Sequence, residues 1–138
     1  MAKKTEAYVD TSAFVAFLDG SDSYHALFTR LFAAAPPLVT TPLVVAEGHG
    51  WFLKRFDRHR ARQFLNFVEE VEPLRIVPVG AKELAAARRY LSRFKDQDLS
   101  VVDALGLHCM DALRIAECWS TDRHLGLTGK TICVFGEH

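Results

Sequence analysis

At 138 residues, with 49% apolar and 25% charged side chains, the chain has the size and composition of one globular domain rather than of a disordered or membrane protein. Its 17 basic and 17 acidic residues cancel, so no global field draws it to nucleic acid, and an anionic partner must be met by local patches. Cys109, Cys118 and Cys133 are odd in number and form neither a C-x-x-C nor a paired His pattern, so neither a disulfide framework nor a zinc site is indicated and all three read as small core residues.

The chain starts Met-Ala-Lys-Lys-Thr-Glu and enters an apolar strand at once, which leaves no room for a secretion signal. No apolar run approaches membrane-spanning length, so a cytoplasmic protein with no membrane partner is expected. Ala7 to Asp10 is short and β-rich, and Thr11-Ser12 cap the apolar segment Ala13 to Leu18, giving a strand that runs straight into a helix. Tyr24, Leu27, Phe28, Leu31 and Phe32 recur at helical spacing and end before Pro36-Pro37. Leu38 to Thr40 reads as a strand, Pro42 opens a helix to about Phe56, and Arg58 to Glu70 is another helix with Phe64, Leu65 and Val68 inward. Leu74 to Val79 reads as a strand, Lys82 to Phe94 as a charged amphipathic helix, and Ser100 to about Met110 as a helix. Glu117 to Thr121 is a strand, Asp122 caps a short helical turn, and Ile132 to Phe135 is a last strand. Strands separated by helical segments predict a single α/β domain over residues 1–138, with a central parallel sheet covered on both faces in three α/β/α layers.

Ligands of open parallel sheets bind beyond the carboxyl ends of the strands, where helix N-termini also point. Asp10 closes the first strand, Asp122 follows the strand ending at Thr121, and Asp103 lies in the first turn of the helix begun by Ser100. Glu47 stands between Leu43 and Trp51 at four-residue spacing, on what reads as an inward apolar stripe. A carboxylate buried there costs several kcal/mol unless paired, protonated or metal-bound. Two such acids about 4 Å apart repel by roughly 4 kcal/mol at an effective dielectric near 20, so a converging cluster calls for cations. Oxygen donors without a His or Cys suit Mg²⁺ or Mn²⁺, and the chemistry that follows is phosphoryl hydrolysis.

Each acid also has an ordinary structural explanation. Ser100-Val-Val-Asp103 is a capping-box pattern, Asp122 is a possible N-cap, Asp10 a strand-end residue, and Glu47 can pair with Arg55 or reach solvent. Taken singly, the structural role is the more frequent one. Three acids at one predicted sheet edge and a fourth on an inward face favour catalysis.

Four stretches in order resemble the PIN-domain family, in particular the VapC-type ribonuclease toxins of toxin-antitoxin pairs. They are Val9-Asp-Thr-Ser-Ala-Phe-Val-Ala-Phe-Leu18 with Asp22 and His25 following, Thr40 to Glu47, Asp96 to Ala104, and Ser120-Thr-Asp-Arg-His-Leu125 up to Gly129. The resemblance implies that Asp10, Glu47, Asp103 and Asp122 are catalytic, metal-holding acids, and that Thr11, Ser12 and Thr121 orient carboxylates, water or phosphate. It implies a Mg²⁺- or Mn²⁺-dependent endoribonuclease acting on single-stranded or structured RNA, a homodimer, and a cognate antitoxin. Asp96 and Asp98 read as loop residues. Two departures stand out: Gly48 and Gly50 inside a helix, each costing about 1 kcal/mol relative to Ala, and no glycine between Cys109 and Glu117 to end the helix there.

Lys54, Arg55, Arg58, Arg60 and Arg62 form the densest basic run, and Arg123 and Lys130 follow the last acid, so these are the candidate phosphate contacts, with Lys54 and Arg55 singled out in the run. No role is assigned to His124. Phe14, Phe17, Phe52 and Phe56 read as core. An Asp-Thr-Ser start also resembles a dehalogenase-type phosphatase, but Ser12 holds the place of its second aspartate. The remaining alternative is a PIN-fold module that binds RNA or a protein without cutting.

Overall fold

A computed structural model describes residues 5–135, and over them five parallel strands alternate with helices. β1 (Ala7–Val9) leads into α1 (Thr11–Leu18) and α2 (His25–Ala33), and β2 (Leu38–Thr40) into α3 (Pro42–Arg55) and α4 (Arg58–Glu70). β3 (Leu74–Ile76) leads into α5 (Ala81–Arg93) and α6 (Val101–Leu113), and β4 (Glu117–Trp119) passes through a 3-10 turn, Arg123–Gly126, to β5 (Thr131–Ile132).

The sheet order is β3-β2-β1-β4-β5, with Tyr8 of β1 in register with Val39 on one side and Cys118 on the other. The first two crossovers step the sheet in one direction and the third steps back past β1. Right-handed connections therefore put α1 to α4 on one face and α5 with α6 on the other, and α3 packs on α4 as α5 packs on α6. The expected three-layer α/β/α domain is the one observed. The reversal also creates a crevice at the carboxyl ends of β1 and β4, the switch point at which such sheets bind ligands.

β1 is fully buried, as a central parallel strand must be. The α1–α4 face is packed with phenylalanine: the Phe14 ring lies 5.9 Å from Phe32, 5.8 Å from Phe64 and 6.2 Å from Phe67, and Phe17 stacks on Phe67 at 4.8 Å. Burying each such ring contributes roughly 1.5–3 kcal/mol. Phe14, Phe17 and Phe52 join the core as expected, whereas Phe56, 36% exposed, lies on the surface beneath the guanidinium groups of Arg55 and Arg60. A side chain on Gly48 would overlap the Phe64 ring, so this glycine lets α3 and α4 close on each other, while Gly50 has open space and no such reason.

Two strands are shorter than expected. β3 pairs only with β2, which ends at Thr40, and its last paired residue is Ile76 rather than Val79. β5 is Thr131–Ile132 and the chain turns at Cys133, so the expected run to Phe135 is not a strand. The missing glycine after α6 is explained by Arg114, which takes the left-handed C-cap conformation itself at φ 56°. Cys109, Cys118 and Cys133 are buried and form no disulfide. No described helix is long and apolar enough to cross a membrane.

Candidate active site

β1 stops at Val9 because Asp10 leaves the strand to become the N-cap of α1, its N–H still donating to the Trp119 carbonyl at 3.0 Å. The Asp10 carboxylate therefore sits at the switch point, only 5% exposed. Its Oδ2 accepts hydrogen bonds from Ser12 at 3.0 Å and from Ser120 at 2.9 Å. Those hydroxyls also accept from the backbone after β4: Thr121 N–H donates to Ser12 Oγ at 3.0 Å and Asp122 N–H to Ser120 Oγ at 2.9 Å. Two serines thus lock the start of α1 to the exit of β4, with the buried acid between them.

Asp122 caps the 3-10 turn by accepting from the His124 N–H at 2.9 Å, and its Oδ1 also lies 3.1 Å from His124 Nδ1. Asp103 forms the capping box with Ser100, accepting its N–H at 3.3 Å while donating its own to Ser100 Oγ at 3.1 Å. The structural reading of both acids is therefore correct, and it coexists with their place in the cleft, because a cap fixes a carboxylate at a helix N-terminus. Asp10, Glu47, Asp103 and Asp122 line one open cleft of about 630 Å³, together with Asp22 and Trp51.

Glu47 is not on a buried stripe. The inward positions of α3 are Val44, Gly48 and Phe52, one residue on from the stripe read in the sequence, and Glu47 is exposed at the cleft. The residues at 43 to 45 and 51 to 53 are apolar apart from helix phase, so either stripe reads as inward; the fit of Phe64 at Gly48 decides between them. The burial cost falls instead on Asp10, whose pKa is pushed up to about 6 by desolvation and, among the charges, by Asp103. Asp103 is also raised, first by desolvation and then by the charges of Asp122 and Glu47.

Of the supporting residues, Ser12 holds Asp10, and Thr121 contributes its backbone N–H. The Thr11 hydroxyl is buried with no hydrogen-bond partner among the described residues. Ser120, fully buried on Asp10, was not singled out by the sequence reading; its signal was its place two residues before Asp122, at the end of a strand. The donor set is also not free of histidine, since Asp103, Asp122 and His124 offer ligand atoms within 4.8 Å of one another. The carboxylate oxygens fit a small divalent cation such as Mg²⁺ or Mn²⁺, and an imidazole among the donors weights the set toward Mn²⁺.

The basic candidates divide. Lys130 does not reach the acids: its ammonium lies 3.1 Å from Asp111 in the last turns of α6, the opposite end of that helix from Asp103. Arg123 stacks 4.9 Å over Phe135, and both cations line a separate cleft beside β5. The 3-10 turn carries the chain away from Asp122, which is why nearness in sequence misplaces them. Lys54 and Arg55 are exposed in the last turn of α3, and Asp96 and Asp98 are exposed loop residues outside the cleft.

Residues 7–129 match the family described as PIN domain. The 23S rRNA-specific endonuclease VapC20 of Mycobacterium tuberculosis is 29% identical over 123 residues, covering 88% of this chain and 93% of that protein. Ribonuclease VapC26 of the same organism is 28% identical over 120 residues, covering 83% and 85%. In structure, M. tuberculosis VapC20, described as a Sarcin-Ricin loop cleaving toxin, superposes with a TM-score of 0.83 at 24% identity over 91% of this chain and 96% of that one. A chain from a toxin-antitoxin complex of Klebsiella pneumoniae superposes at 0.62 with 16% identity, covering 91% and 94%.

Proposed function

Since this chain belongs to the PIN-domain family, whose match spans residues 7–129, we propose that it is a metal-dependent endoribonuclease and the toxin of a toxin-antitoxin pair. The observation that carries this reading is the convergence of Asp10, Glu47, Asp103 and Asp122 in one cleft, with Asp10 and Asp103 held there against desolvation and mutual repulsion. A folded protein gains nothing from such a cluster unless a cation offsets it. The names of the relatives, an rRNA-specific endonuclease and a ribonuclease, support RNA as the substrate. The Klebsiella complex supports an antitoxin that binds the toxin.

The four acids would hold Mg²⁺ or Mn²⁺. When bound, such an ion supplies charge neutralisation for a scissile phosphodiester and acidifies water at neutral pH. The chain's own contribution is position. Ser12 and Ser120 fix the Asp10 carboxylate, Ser100 fixes Asp103, and the turn at Arg123–Gly126 fixes Asp122. Glu47 comes from α3 on the other wall and needs no burial, so it is free to adjust to substrate. His124 orients Asp122 through its ring nitrogen. Lys54 and Arg55 supply salt-sensitive, sequence-independent attraction for the RNA backbone. The same reading includes a homodimer and work in the cytoplasm.

The test is to incubate the purified chain with a mixed RNA pool and Mg²⁺ or Mn²⁺, beside EDTA and Asp10→Asn controls, and to sequence the fragment ends. Metal-dependent cuts missing from both controls are expected. RNA or protein binding without cuts in either metal would instead favour a non-cutting module.

A further inference from the structure

The acid cleft has one large apolar wall. Trp51, one helical turn after Glu47 on α3, is half-buried and lines the cleft beside the carboxylates. Its ring is braced edge-on by Phe52 at 5.0 Å and by Phe56 at 6.0 Å. Phe56 is itself held between α3 and α4 by the Arg60 guanidinium, 4.4 Å from the ring centroid, and Arg60 is anchored by donating to the Leu18 carbonyl at 3.0 Å. Metal binding has no use for an indole, and a cleft of carboxylates repels a polyphosphate. Beyond the one scissile phosphate that a bound cation would take, what holds RNA here must act on the bases or on phosphates farther out. Along α3 the order is Glu47, Trp51, then Lys54 and Arg55, so acid, aromatic and cation follow at about 6 Å per step of four residues.

We propose that Trp51 is a base-stacking platform, holding the nucleobase next to the phosphate presented to the acids while Lys54 and Arg55 take the following phosphate. This rests on the ribonuclease reading and names where substrate affinity and base preference arise. Stacking tolerates every base but favours purines by area, and a braced ring loses little freedom on binding.

The chain contains two tryptophans, and the other, Trp119, is 2% exposed and out of reach of a bound base, so both emit but a quench by stacked RNA falls on Trp51. Stopped-flow mixing of the full chain with a mixed-sequence oligoribonucleotide in Mn²⁺ should quench that signal before cutting, and Trp51→Phe should abolish the quench. In cleavage assays Trp51→Leu should raise KM about tenfold and leave kcat within about twofold, whereas Trp51→Phe, which still stacks, stays within about threefold of the parent KM. RNA cut without any quench, or equal KM values for the Phe and Leu variants, would overturn the platform while leaving the nuclease intact. Failure to cut any RNA would remove the ribonuclease reading; the quench and its loss in Trp51→Phe, which need no turnover, would still decide the platform.

Discussion

The two ends of α1 were built under opposite rules. Its body buries Phe14 among three other rings, while its N-cap is Asp10, a carboxylate 5% exposed and facing further acids. The aromatic face stabilises the fold; the carboxyl edge of the sheet draws on that stability to keep charges together. A protein that is stable only because of the first region can carry the second, and substitutions in the two should therefore act with opposite sign.

The largest effect belongs to the aromatic face. Phe14→Ala should destabilise the chain by about 3–5 kcal/mol, read by urea or thermal unfolding, because the three rings packed on it cannot collapse into the space left. The next belongs to the acids. The folded pKa of Asp10 is raised to about 6, so the protonated form is favoured in the folded state. Its contribution is fully present below the unfolded pKa and is lost as pH rises through 6. The metal-free chain should gain about 1–2 kcal/mol between pH 7.5 and pH 5, and Asp103, also raised, acts in the same direction. The smallest lies in neither region. Arg114→Gly relieves the left-handed C-cap of α6 and should add up to about 1 kcal/mol.

Most of the fold was legible in the sequence because the strands are short, apolar and bounded by Pro, Gly or capping residues, as at Leu38–Thr40 before Pro42. The ends of β3 and β5 were not, since apolar alternation continues past the point where a neighbouring strand stops pairing. The acids at Asp10, Asp103 and Asp122 were legible through strand ends and cap patterns. Glu47 was singled out for its spacing to Leu43 and Trp51, and that burial argument was wrong, because an apolar helix such as α3 does not announce its phase. Ser120, His124 and the true neighbours of Lys130 depend on how a loop turns, which local patterns do not encode.

If the cleft gives up stability to hold a divalent cation, the acid between the two serines is where that exchange shows. Melting the parent chain and Asp10→Asn at pH 7.5, each in EDTA and in Mn²⁺, tests it directly. The Asn variant should be the more stable of the two in EDTA, by about 1–3 kcal/mol, and only the parent should gain stability when Mn²⁺ is added. An Asn variant no more stable than the parent in EDTA, or one that responds to Mn²⁺ as the parent does, would contradict it.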